Sequence, residues 1–266
     1  MIRLNYTDIK TLESYQITCS GNSFMEKVFR FSKMEFQTKT IRLQLLYFII
    51  VTPIVLYLDS VPFSRIFPYG QWIVNFCTLT TFAWFYYVAD KRVQGMMLLM
   101  LLISSCGEIV GSLILKFYVY RLENIPLYVP FGHALVFASA YYIYQQTLIQ
   151  QYADKVQRLL FFLALLISVF SLLFLQDTCG FICFLTFCLL RKNNKLFYSC
   201  MFFVVLYLEL IGTYLQTWTW YGKLNNHPDW IIGCNNPPCG IGGLYMIFDV
   251  LVTFCYFQLN AIHNRE

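Results

Sequence analysis

Residues 95–117 read GMMLLMLLISSCGEIVGSLILKF. Between Gly95 and Leu115 the only charged side chain is Glu108. A bilayer core about 30 Å thick takes roughly 20 helical residues, so this run predicts a membrane-spanning helix with one carboxyl group inside it. The composition agrees. Of 266 residues, 58% are hydrophobic, 19% aromatic and 12% charged, whereas soluble domains carry about a quarter charged residues. Too few charges remain to coat a water-soluble surface, so lipid must solvate much of it.

Reading outward from that run, further apolar stretches predict spans near 43–60, 71–89, 127–148, 157–175, 178–190, 196–218 and 241–261. The sixth, TCGFICFLTFCLL at 178–190, is short and also suits a re-entrant piece. The expected fold class is all-α: a polytopic transmembrane helix bundle of about eight spans over 43–262, behind a cytoplasmic N-terminal segment, 1–42. Within that segment FMEKVFRFSKMEF (24–36) alternates aromatic and basic residues, which suits an amphipathic helix lying on anionic lipid as well as an ordinary solvated helix. No cleavable leader is expected, because the first apolar run follows roughly forty mostly polar residues.

Loop charges orient the bundle. Lys91 and Arg92, Lys155 and Arg158, and Arg191, Lys192 and Lys195 fall in alternate loops, the same side as the basic N-terminal segment and Arg265. Only Arg65, Lys116, Arg121 and Lys223 fall on the other side. The positive-inside rule then places both termini in the cytoplasm. Tyr69 and Trp72, Tyr118 and Tyr120, and Trp218 and Trp220 read as interfacial aromatic belts. The net charge of +5 comes with no separate basic run, so no nucleic-acid partner is expected. Membrane lipids and a lipophilic small molecule are the expected partners, and the plasma membrane or a bacterial inner membrane the expected location.

Ionisable side chains at bilayer depth are costly and tend to mark function. Four are expected there: Glu108, His133, Glu209 and Asp249. At 1.5 Å rise per residue all four fall about 9–12 Å below the outer surface. Polar neighbours recur three or four residues apart, on a shared helical face: Ser104, Glu108 and Ser112; Glu209, Thr213 and Gln216; Tyr245, Asp249 and Thr253. Interhelical hydrogen bonding would suffice to explain one such stripe. Three stripes at one depth, with a histidine, point to a polar chamber in which Glu108, Asp249, His133 and Glu209 are candidate catalytic groups and Ser104, Ser112, Thr213 and Tyr245 line the pocket. IPLYVPFGH (125–133) sets His133 in the first turns of a helix, where the positive helix end favours a neutral imidazole. YGKLNNHPDWIIGCNNPPCGIGG (221–243), with Asn235 and Asn236 as further pocket candidates, reads as a lid over the polar layer. His227 there reads as an ordinary loop residue, and a Cys234–Cys239 bridge is sterically open at that spacing. GEIVGS (107–112) followed by IPLYVPFGH resembles, over those few residues only, multi-spanning carotenoid hydratases; a match so short assigns no family.

A buried acid that keeps its proton could protonate an alkene, an epoxide or a leaving group while a partner takes a proton back. The expected activity is therefore acid–base chemistry of the cyclase, hydratase or isomerase type on a lipid or isoprenoid. A proton-linked transporter uses the same groups, although no internal repeat supports it. A non-enzymatic assembly or partner subunit is the third reading. No cofactor is expected. A metal held by His133 and the carboxylates would suit iron or manganese before zinc. No G-x-S-x-G, H-E-x-x-H or Walker-type glycine loop occurs, which argues against soluble-hydrolase and nucleotide-driven chemistry.

Overall fold

A computed structural model describes residues 38–222 and 233–263. The amphipathic stretch 24–36, Lys223, His227 and the apolar tripeptide 230–232 lie outside them. Among the described residues the chain is helical apart from one two-stranded ribbon. The helices are α1 (Thr38–Leu58), the short α2 (Val61–Ser64), α3 (Gly70–Val88), α4 (Lys91–Glu108), α5 (Tyr128–Tyr144), the short α6 (Thr147–Gln151), α7 (Ala153–Leu175), α8 (Thr178–Leu190), α9 (Lys195–Tyr214) and α10 (Gly242–His263). Beyond Glu108, α4 continues through wider π-type turns, Ile109–Ile114. Five of these, namely α1, α4 with its extension, α7, α9 and α10, are long and apolar enough to cross a membrane. The protein is membrane-embedded.

Polar residues set the helix ends. Asp90 caps α4 by accepting hydrogen bonds from the Arg92 and Val93 amides (2.8 and 3.1 Å), and Asn194 caps α9 through the Phe197 amide (3.1 Å). Both satisfy amides that a helix start leaves without partners. Gln176 ends α7 in the left-handed region (φ 56°), so the chain reverses into α8. Successive long helices run back and forth. One end of the bundle gathers the α1–α3, α7–α8 and α9–α10 connections with the ribbon. The other holds the loops bearing Lys91, Arg92, Lys155, Arg158 and Arg191. There Arg191 donates to Ser199 Oγ (3.0 Å) and the Gln157 carbonyl (3.1 Å) and lies over the Phe161 ring.

The ribbon begins just past the expected third span (95–117) and at the last residue of the expected seventh (196–218). β1 (Tyr118–Tyr120) and β2 (Trp218–Trp220) pair antiparallel, with Tyr118 opposite Trp220 and Tyr120 opposite Trp218. Side chains alternate across a strand. Tyr118, Tyr120, Trp218 and Trp220 are all buried, while Val119 is half-buried and Thr219 exposed. These four rings, expected at the lipid interface, face the interior because each carries a polar hydrogen with a buried partner.

An ion pair ties the ribbon to α1. Arg121, one residue past β1, donates through Nη2 and Nε to Asp59 Oδ1 (2.5 and 3.1 Å) and through Nε to the Asp59 carbonyl (2.9 Å). Tyr128 Oη donates to the other carboxylate oxygen at 3.0 Å. Thr217, just before β2, donates to the Leu56 carbonyl (3.2 Å). Asp59 is fully buried.

Candidate functional site

Beneath the ribbon lies a cavity of about 640 Å³, lined by α1, α3, α4, α5, α9, α10 and the ribbon's inward face. Its walls are mostly apolar, among them Phe48, Val55, Leu102, Leu135, Val136 and Phe248, and Glu108, His133 and Glu209 open onto it. That is the size and character of a small-ligand pocket.

Glu108 sits where α4 passes into its wide turns. Its Oε1 lies 2.9 Å from His133 Nε2. Its Oε2 accepts hydrogen bonds from Tyr118 Oη (2.8 Å) and Tyr120 Oη (2.7 Å). Burial, and then the Glu108 charge, push both ribbon hydroxyls well above the ordinary phenol range. They remain donors at any physiological pH. Glu209, from α9, is held the same way by the other strand: Trp218 Nε1 (2.9 Å) and Trp220 Nε1 (3.0 Å) donate to Oε2, and Tyr245 Oη donates to Oε1 (2.9 Å). Each carboxylate therefore has three partners, one strand serving each. Tyr245 links the two centres, because its ring stacks on the His133 imidazole (centroids 4.7 Å, 26° between planes). Phe248 meets the same imidazole edge to face at 5.5 Å.

The ribbon can approach because α9 is bare at Gly212. A Cβ there would lie 2.0 Å from Trp218 Cη2, too close for a rigid indole to tolerate. Gly212→Ala is expected to destabilise the protein by about 1–3 kcal/mol by overpacking, measured by thermal unfolding in detergent. Gly132→Ala, where a Cβ meets nothing within 4 Å, is the matched control inside a helix and is expected to be neutral or to stabilise by up to about 1 kcal/mol.

Of the residues singled out in the sequence, Glu108, His133, Glu209 and Tyr245 come together around the cavity. The structure does not bring the others into its walls. Asp249 is buried elsewhere in α10, its Oδ2 without a hydrogen-bond partner among the described residues, as is the Tyr198 hydroxyl. Ser104 is fully buried with its hydroxyl 3.4 Å from the Leu101 carbonyl. The wide turns after Glu108 shift the helical register, so Ser112 leaves the face that i+4 spacing would give it, and Val110 and Gly111 line the cavity instead. Thr213 Oγ1 turns back onto the Glu209 carbonyl (2.7 Å). Asn236 Oδ1 accepts from the Trp220 amide (3.0 Å), which supports β2 from outside. The Asn235 amide donates to Asp177 Oδ1 (3.1 Å).

Sequence reading missed Tyr118, Tyr120, Trp218 and Trp220 as site residues. The available signal was the alternation in YVY and WTW. Asp59 and Asp177 were missed because each sits at the end of an apolar run. Among the described residues, no group of three or more His, Cys, Asp or Glu side chains is arranged to hold a metal ion. No protein-family model, curated protein or solved structure matches the chain.

Proposed function

We propose that the protein is an intramembrane enzyme that performs acid–base chemistry on a lipophilic substrate held in the cavity beneath the ribbon. The observation that carries this reading is the His133–Glu108 pair, 2.9 Å apart, in the wall of an otherwise apolar chamber. Glu108 accepts the Nε2 proton and fixes the imidazole orientation, which leaves Nδ1 as the nitrogen that exchanges a proton with substrate. A carboxylate so placed stabilises the imidazolium formed when Nδ1 takes a proton. Return of that proton to another carbon gives an isomerisation. Protonation of an alkene first gives a cation that the surrounding aromatic faces would stabilise, and then cyclisation or hydration. Glu209 and Tyr245 serve as positioning residues that hold the ribbon and the His133 ring. Asp249 has no part in this chemistry. In this reading α1, α3, α4, α5, α7, α9 and α10 and the shorter α8 all cross the bilayer, with the basic loops cytoplasmic and the ribbon end outside.

The test compares lipid extracts of membranes carrying the wild-type chain, His133→Asn or Glu108→Gln at matched protein level. A product present with wild type should form about 10²–10⁴ times more slowly with His133→Asn, while unfolding temperature changes little. Identical lipid profiles and rates across all three chains would overturn the proposal.

A further inference from the structure

Four cysteines gather at the ribbon end, away from the cavity. Cys179 and Cys183 stand one turn apart on α8, and Cys234 and Cys239 lie on the stretch 233–241 that leads into α10. That stretch is laid directly on α8. Asp177, the α8 cap, accepts hydrogen bonds from the Gly180, Asn235 and Cys239 amides at 2.9, 3.1 and 2.7 Å. The Cys179 amide donates to the Gly233 carbonyl (3.4 Å). A Cβ on Gly240 would lie 2.1 Å from the Gly180 carbonyl oxygen, so the two backbones touch.

These contacts flank Cys234 on both sides. Its predecessor bonds to residue 179 and its successor to residue 177, so Cys234 and Cys179 lie side by side. The Cys179 thiol neighbours those of Cys234 and Cys183. Cys239, five residues on from Cys234, is held by its own amide donating to Asp177 Oδ2 (2.7 Å), and its thiol is not among the neighbours of the Cys179 and Cys234 thiols. All four are free thiols here.

We propose that Cys179 and Cys234 form a disulfide that staples the 233–241 stretch to α8, and with it the Asn236 contact that supports β2. The pairing suggested by spacing, Cys234 with Cys239, is not the one this packing favours. A Cys179–Cys183 bond would join residues the helix already holds. The oxidant is a disulfide of a small or protein thiol, encountered where the ribbon end faces an oxidising compartment. The Cys179 thiolate attacks one donor sulfur, forming a mixed disulfide and releasing one thiolate. The Cys234 thiolate then attacks the Cys179 sulfur and releases the second. Two cysteines lose two electrons, the donor disulfide becomes two thiols, and those take up the two protons.

The test is alkylation of intact membranes with N-ethylmaleimide, digestion without reductant, and mass spectrometry. A linked peptide pair containing Cys179 and Cys234, separated by reductant, is the expected result. Reduction of the wild-type protein should lower its unfolding temperature by about 5–15 °C and leave Cys179→Ser unaffected. The proposal is overturned if both cysteines carry maleimide before reduction, if Cys234 is linked to Cys239 or Cys179 to Cys183, or if the purified protein holds zinc on these thiols. Labelling by a membrane-impermeant maleimide after reduction reports which side the cluster faces. That result is independent of any activity at His133.

Discussion

Arg121→Leu is expected to destabilise the protein by about 3–5 kcal/mol, and the double replacement Arg121→Leu with Asp59→Leu is expected to cost less than the single one. Asp59 is fully buried, and its carboxylate takes up the guanidinium of Arg121 and the hydroxyl of Tyr128. Removing the arginine leaves a negative charge without its counter-ion in a region that cannot solvate it. Removing both charges leaves only a packing defect. Equilibrium unfolding in mixed micelles measures both. A single variant as stable as the double one would show that the pair is not buried as described. Because Arg121 follows β1 directly, the single variant should also loosen the ribbon, seen as faster hydrogen exchange at the Tyr221 amide, which donates to the Phe117 carbonyl (3.0 Å).

The second large effect is expected at Glu209. Trp218→Phe and Trp220→Phe each keep an aromatic ring and delete one indole N–H. Each should cost about 1–3 kcal/mol, the penalty for leaving a buried acceptor under-supplied. Because both donors serve the same oxygen, their losses should not add: the second deletion leaves Oε2 with no donor and should cost more than the first. Glu209→Gln placed in the double Trp→Phe background should restore part of the lost stability, since a neutral amide tolerates the missing donors better than a carboxylate. If Glu209→Gln lowers stability equally in both backgrounds, the indoles are not what holds that side chain.

The helices were legible because long apolar runs between basic loops leave few alternatives. Glu108, His133 and Glu209 were legible because an ionisable group within such a run is rare and costly. The roof over the cavity was not. Tyr118 and Tyr120 lie about a hundred residues from their strand partners, and two strands of three residues each are too short for alternation to outweigh a helical reading. Tyrosine and tryptophan at span ends also match the usual interfacial pattern. Asp249 shows a different difficulty. Its i+4 relation to Tyr245 does set a broad shared face, but only the packed rotation of α10 decides that Tyr245 reaches the cavity while Asp249 does not. The wide turns after Glu108 displaced Ser112 for a similar reason, since periodicity assumes an unbroken register.

One helix carries a consequence for how the protein is made. Across α9, 72% of the apolar window is buried inside the bundle, against 17% for α7. Lipid therefore has little surface of α9 to solvate, although the helix emerges late, after residue 194. Until it is synthesised, the earlier helices must keep a vacant slot along α5, α7 and α1. During biogenesis that slot is open to premature closure, and this unfinished intermediate is where an insertion chaperone would have most to protect.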